Sequence, residues 1–255
     1  METDAPKKKV LVLNGSPHKE KSSTMVVTRA FLDGLTKKET YEAETISVAA
    51  LKVTPCMGCL SCWGRTEGEC VIRGDDVAAV KEKILAADLL LLSFPLYFFG
   101  VPGQMKLLGD RLLSMMKTYC GQKVPPDGSP AHGMRYPRPA QKILLISGCA
   151  YVETGEVYQP TLKQCDLICG KGGYTAVLCP QLKTMLDNGG TRVERTLARF
   201  RAAGEEFERS GALSDATLAA LTRPPFSDTV YKTILAEVWR KEREEGEKAR
   251  GTSCD

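Results

Sequence analysis

Apolar and polar positions alternate in blocks along this chain. Val10–Leu13, Asp88–Phe94 and Lys142–Ser147 are short apolar runs without a two-residue period, rich in Val, Leu and Ile. Such runs predict strands buried on both faces. Ala43–Val48 alternates like a strand, and Tyr174–Cys179 reads as a further one. Helical patterns lie between them. One covers about Thr24–Lys37; one opens at Asp75-Asp76, with Val77, Val80, Ile84 and Leu85 on a single face; one follows from about Pro102, with proline in its first turn. Gln159–Cys169 reads as helix, and Thr191–Ser210 as a helix opened by a capping box of Thr191 with Glu194. A β-α unit repeated five times with buried strands predicts an α/β domain with a parallel, doubly wound sheet.

The pattern changes after residue 211. Ser214 opens a short helix stopped by Pro224-Pro225, and Ser227-Asp228 opens a last one. The last helix places Val230, Ile234 and Val238 on one stripe, with Tyr231, Leu235 and Trp239 beside it. That stripe is expected to pack on its own domain or on a partner subunit, and the charged sequence from Arg240 is expected to fray. The division is therefore 1–211 for the α/β domain and 212–255 for a C-terminal helical extension. Two stretches fall outside the repeat: a cysteine-bearing loop at 51–74, and a Pro/Gly-rich insertion at 121–139, expected to be a flap or a contact surface.

Composition narrows the class. The hydrophobic fraction of 43% is enough for a core, and the net charge of +4 is too mild and scattered to argue for nucleic acid. Lys7-Lys8-Lys9 reads as a solvated terminus. No apolar run reaches the roughly 18 residues of a membrane span, and no secretory signal precedes the first strand. A cytoplasmic, reducing setting is the expectation. There, the clustered cysteines among the ten suggest metal or redox chemistry more than disulfides.

In a doubly wound sheet the ligand sits at the carboxyl ends of the strands. The loops there are 14–23, 95–101 and 148–157. The first, Asn14-Gly15-Ser16-Pro17, ends a strand, and Ser22-Ser23-Thr24 starts a helix. First-turn amides and the helix dipole favour an anion, with Ser16, Ser22, Ser23 and Thr24 as hydroxyl donors and His18 as a further one. The loop lacks the endings of nucleoside-triphosphate and dinucleotide fingerprints, so a single phosphate monoester fits better than either. A turn that binds nothing is the plain alternative. Cys56, Cys59, Cys62 and Cys70 follow two C-x-x-C steps and a more distant fourth. Four such thiolates suit a [4Fe–4S] cluster or zinc; unligated thiols in a packed loop are the other reading. Cys149, Cys165, Cys169 and Cys179 read as core, while Cys120 and Cys254 are isolated.

These residues resemble a known family. Gly15-Ser16-Pro17 with Ser23-Thr24 is similar to the FMN phosphate loop of NADPH-dependent FMN reductase-like proteins of flavodoxin-like fold. Pro95-Leu96-Tyr97-Phe98-Phe99-Gly100, with Lys106 and Asp110-Arg111, resembles their isoalloxazine loop and following helix. The four-cysteine motif resembles that of the iron–sulfur flavoproteins among them, although the last spacing, Trp63 to Glu69, is longer than usual there. The resemblance implies a five-stranded sheet of order 2-1-3-4-5, FMN rather than FAD, NAD(P)H as donor and a homo-oligomer, dimer or tetramer. It places the isoalloxazine against Tyr97, Phe98 and Phe99, near Gly100, with Gly148, Cys149 and Tyr151 on the next loop.

Two functional classes follow. One is an FMN oxidoreductase passing electrons from NAD(P)H to a small acceptor such as a quinone, flavin or iron. The other is an electron carrier between FMN, a cluster and a partner such as ferredoxin, without a substrate of its own. No side chain stands out as a catalytic acid or base.

Overall fold

The protein, seen in a computed structural model, is described for residues 6–118 and 132–251. Five parallel strands form one sheet: β1 (Lys8–Asn14), β2 (Tyr41–Ser47), β3 (Leu89–Pro95), β4 (Lys142–Gly148) and β5 (Thr175–Cys179), in the order β2-β1-β3-β4-β5. Helices α1 (Ser23–Leu35), α2 (Val77–Ala86), α3 (Gly103–Arg111), α4 (Gly155–Cys169) and α6 (Thr191–Ser210) cover its faces. The apolar runs behave as expected of central strands. Val10, Val12, Leu89, Leu91, Leu144 and Ile146 face one core, shared with α1, α6 and the short α5 (Leu182–Asn188). Leu11, Leu13 and Leu145 face the other, with α2 and α3. One alternating strand therefore supplies two cores. β2 is the edge, and Glu42 and Glu44 on it are exposed.

α1 and α6 cross at two glycines. A Cβ on Gly34 would stand 1.9 Å from the Arg201 carbonyl oxygen, and one on Gly204 2.0 Å from that of Phe31. Only hydrogen fits between these backbones.

Several element boundaries differ from the sequence expectation. α4 begins at Gly155, so Pro160 lies inside it, six residues in, rather than at its start. Near the helix start a proline removes one backbone bond without ending the helix. α6 has Gly190 at its N-cap with φ 52° and no side-chain cap; Thr191 is already helical, so the capping box does not form. Pro102 is the N-cap of α3 rather than a first-turn residue. Asp76 caps α2 without a side-chain bond; its carboxylate accepts from the Lys52 N–H at 2.7 Å instead. α5 follows a left-handed Gln181 and has no counterpart in the expected elements.

Beyond 211, α7 (Asp215–Thr222) is capped by Ser214, whose hydroxyl accepts from the Thr217 N–H. α8 runs from Asp228 to Gly251. It stays helical past Arg240 because Arg240 pairs with Glu237 and Glu244, one turn to either side. Tyr231 is buried in the first core with Leu221 and Phe226. Its hydroxyl donates to the Ala150 carbonyl at 2.5 Å. Most of the expected insertion lies outside the described residues, as do Cys120 and Cys254. Its described end, from His132, turns back on the cysteine loop: the His132 and Trp63 rings are 4.7 Å apart, and Arg135 pairs with Glu67 at 2.6 Å.

Candidate functional site

Parallel register brings three loops to one rim. Asn14 pairs with Ser93, Pro95 with Gly148, and Gly148 with Cys179. The loops after β1, β3 and β4 thus start side by side and are tied by backbone bonds, Gly15 N–H to Ser93 at 2.8 Å and Leu96 N–H to Gly148 at 2.8 Å.

The first loop ends at the start of α1. Ser22 is the N-cap, and its hydroxyl accepts from the Met25 N–H at 3.0 Å and pairs with the Thr24 hydroxyl at 2.9 Å. The first-turn amides of Ser23 and Thr24 have no intrahelical partner, so they point out of the helix end. Ser16, Ser22 and Thr24 are buried, whereas His18 is exposed. Ser16 Oγ accepts from the His18 N–H at 3.2 Å and keeps its own proton to donate. Asn14 adds a feature the motif did not reveal. It is fully buried, its Oδ1 accepts from the Ser16 N–H, and its Nδ2 has no hydrogen-bond partner. A buried amide donor left open is costly. Gly15 is closely packed: a Cβ there would meet Met105 Sδ at 2.7 Å and Phe94 Cβ at 3.1 Å.

The second loop is a two-residue turn. Tyr97 and Gly100 exchange both backbone bonds at 3.0 Å, and the residues between them, Phe98 and Phe99, have φ of 48° and 64°. The unusual conformations thus fall on phenylalanines, not on Gly100. Phe98 is 99% exposed, and Tyr97, Phe99 and Tyr151 are each more than 40% exposed. These aromatics are not core. The Phe99 and Tyr151 rings lie 5.9 Å apart at 33°, which joins the second loop to the third, and Thr161 on α4 donates to the Phe99 carbonyl at 3.1 Å. On the third loop Cys149 is buried, and burial pushes its thiol up. It is held there as a neutral group.

The cysteine loop sits beside α3. Arg111 is buried and pairs with buried Asp75 at 2.6 Å. The same guanidinium donates to the carbonyls of Thr54 at 2.7 Å and Ile72 at 3.2 Å. One side chain therefore closes both ends of the loop. Lys106 and Asp110 pair with each other at 2.5 Å, and Asp110 joins Arg111 in lining the cavity described next. Cys56, Cys59, Cys62 and Cys70 all line one small cavity of about 20 Å³, with Arg111 in its wall. Hydrogen bonds from the Ser61 backbone and hydroxyl hold the exposed Cys59 thiol below its ordinary value, with Arg65 adding to the effect. Burial, then the neighbouring Cys70, raises Cys62. The donors suit a thiolate-ligated metal in kind. Their spacing does not close on one: among the described residues no group of three or more His, Cys, Asp or Glu stands in range of a metal ion.

A family model for the flavodoxin-like fold matches residues 8–157, more than half of the chain. The chain belongs to the flavodoxin-like fold family. Its relatives include an iron–sulfur flavoprotein of Methanocaldococcus jannaschii, 40% identical over 103 residues, which are 40% of this chain and 51% of that protein. An iron–sulfur flavoprotein of Methanosarcina thermophila is 32% identical over 103 residues, with the same shares. The chain spans about half the length of the curated relatives it matches. Among solved structures it resembles an FMN-dependent NADH-azoreductase from Bacillus anthracis in complex with FMN, with TM-score 0.58 and 16% identity over 79% of this chain and 100% of that one. An NAD(P)H:quinone oxidoreductase from Methanothermobacter marburgensis gives TM-score 0.56 and 19% identity, covering 80% of this chain and all of the other. At these identities the likeness is one of fold.

Within this flavodoxin-like chain the structure gathers Ser16, Ser22, Ser23, Thr24, Pro95–Gly100, Gly148, Cys149 and Tyr151 on loops of one rim. The four cysteines form a separate group around a cavity that Arg111 of α3 also lines. The second cysteine group does not converge: Cys179 lies in one core and Cys165 packs against the other. Burial raises Cys179 and Cys165 to about 12 and Cys169 to about 11, as for packed thiols. No described helix is long and apolar enough to cross a membrane.

Proposed function

We propose that this protein is an FMN-dependent oxidoreductase that takes hydride from NAD(P)H and passes electrons to a small acceptor such as a quinone, a flavin or iron. The observation that carries this reading is the rim itself: an open helix start, an exposed aromatic turn and Tyr151, set on adjacent strand ends. Its residues fit FMN. The Ser23 and Thr24 amides and the hydroxyls of Ser16, Ser22 and Thr24 would hold one terminal phosphate, and His18 lies beside them at the surface. The open Asn14 amide offers a further donor at the same loop. Pro95, Leu96, Tyr97, Phe98, Phe99 and Gly100 form one wall for a flat ring, and Gly148, Cys149 and Tyr151 the other. Bound FMN supplies hydride acceptance and electron release. The chain's own part is to grip the phosphate, shield the ring from water and keep the nearby Cys149 protonated. The names of the relatives, flavoproteins and an FMN-containing azoreductase, support the same reading. Free thiols suit a cytoplasmic setting.

The four-cysteine cavity favours a second reading, an electron carrier that holds a [4Fe–4S] cluster on Cys56, Cys59, Cys62 and Cys70 and draws electrons from ferredoxin. The loop must tighten for those thiols to meet a metal. Flavin-loaded, anaerobic protein separates the readings. Rapid bleaching of flavin absorbance by NADPH or NADH supports the oxidoreductase. Inertness to both, with fast reduction by reduced ferredoxin, supports the carrier. About four iron and four sulfide per chain, lost on Cys59→Ala, are expected if the cluster is present. Anaerobic protein without iron leaves these cysteines as loop thiols.

A further inference from the structure

Away from the flavin rim, a cavity of about 530 Å³ opens between α6 and the turn from α7 to α8. Leu182, Met185, Phe200 and Phe226 give it a buried apolar floor. Arg192, Arg195 and Arg199 of α6 and Arg223 at the end of α7 line it, and among the described residues no acidic side chain does. The spacing of the first three places them on one helix face. Like charges three and four residues apart destabilise a helix. Elsewhere on this surface basic side chains find carboxylates, as Lys37 does with Glu205, Lys183 with Asp187 and Lys232 with Asp228. These four arginines do not: no side-chain hydrogen bond or ion pair ties any of them to another described residue. Arg192 lies over the Phe226 ring, 5.4 Å from its centroid.

Unbalanced positive charge around an apolar, aromatic-floored hollow calls for an anion with an apolar body. The volume lies within the roughly 300–1,000 Å³ of small-molecule sites. Guanidinium forks match phosphate oxygens in pairs, and their planes stack on flat rings. We propose that this cavity binds a small organic phosphate, its phosphate gripped by Arg195 and Arg199 and its flat body resting on the apolar floor. Nucleotides and aryl phosphates share this chemistry. The proposal does not depend on the flavin reading, since none of these residues belongs to the flavin rim.

Calorimetric titration of the full chain tests it, with adenosine 2′,5′-bisphosphate, 4-nitrophenyl phosphate and, as the uncharged control, adenosine. At least one phosphate probe should bind, at least tenfold tighter than adenosine, and weaken as salt is raised. The Arg195→Ala/Arg199→Ala double variant should lose about tenfold or more, as expected for two charge-assisted hydrogen bonds. Both side chains are exposed, so its melting temperature should be unchanged or higher. Arg195→Glu, a second variant, should bind more weakly still. Tighter binding of the bisphosphate assigns a nucleotide; binding of the aryl phosphate alone assigns another organic phosphate. Failure of both probes at millimolar concentration overturns the proposal. So does equal binding of adenosine, or an unchanged affinity in folded double variant.

Discussion

Phe98 and Phe99 occupy a conformation that L side chains pay for sterically, about 1–2 kcal/mol per residue. Phe98 recovers nothing by burial, because it is almost fully exposed. Strain of this kind is kept where a site needs it. Phe98→Gly is therefore expected to stabilise the flavin-free protein by about 1 kcal/mol while weakening flavin retention. A lower melting temperature would mean that the side chain packs on something. The sequence pointed to these aromatics, but a left-handed Phe-Phe pair has no signal in residue type. The Asp75–Arg111 pair was equally hidden, because its partners are 36 residues apart. Burial raises Asp75, and Arg111 with the Thr54 and Val77 amides outweighs that, leaving its carboxyl below its ordinary value. The stability this contributes is complete above the unfolded carboxyl's value near 3.8 and is lost as pH falls through the lower folded one. Denaturation from about pH 5 to about pH 2 should show that loss, and Asp75→Asn should remove this component. Arg111→Ala should cost about 3–5 kcal/mol at neutral pH, because it strands a buried carboxylate.

At the scale of elements, the strands were legible because burial on both faces demands unbroken apolar runs. Helix ends were less so. Thr191 with Glu194 has the letters of a capping box, but the chain enters α6 through a left-handed Gly190 and bypasses it. The expected start of α4 at Gln159 lies later than the observed one at Gly155, and seven-residue α5 is too short to show a period. The α1–α6 crossing left no pattern either, since it depends on two glycines 170 positions apart meeting backbone to backbone. Gly204→Ala should cost about 3 kcal/mol, at the upper end of ordinary overpacking, because the obstructing atoms are main chain. Gly246 in α8 has open space around it, so Gly246→Ala should be neutral or stabilise by up to about 1 kcal/mol. Equal costs in chemical denaturation would contradict the close crossing.

At the scale of the molecule, the sheet order follows the expected 2-1-3-4-5, and the loops after β1, β3 and β4 meet on one rim as doubly wound topology requires. The arginine-lined cavity was not legible, because the packing of α7 and the turn after it against β5 and α6 creates it. Val230, Val238 and Trp239 remain exposed on α8, and Phe98 on the rim. We propose that a second copy covers such surface; light scattering at micromolar concentration should give at least a dimer, and a monomer with flavin bound would contradict this. The rim is proposed to hold FMN. Flavin released by heat from protein purified under mild conditions, or after incubation with added flavin, tests it most directly by chromatography. FMN at about one per chain is the expected result. Release of FAD, or protein that neither carries nor takes up FMN, would contradict it.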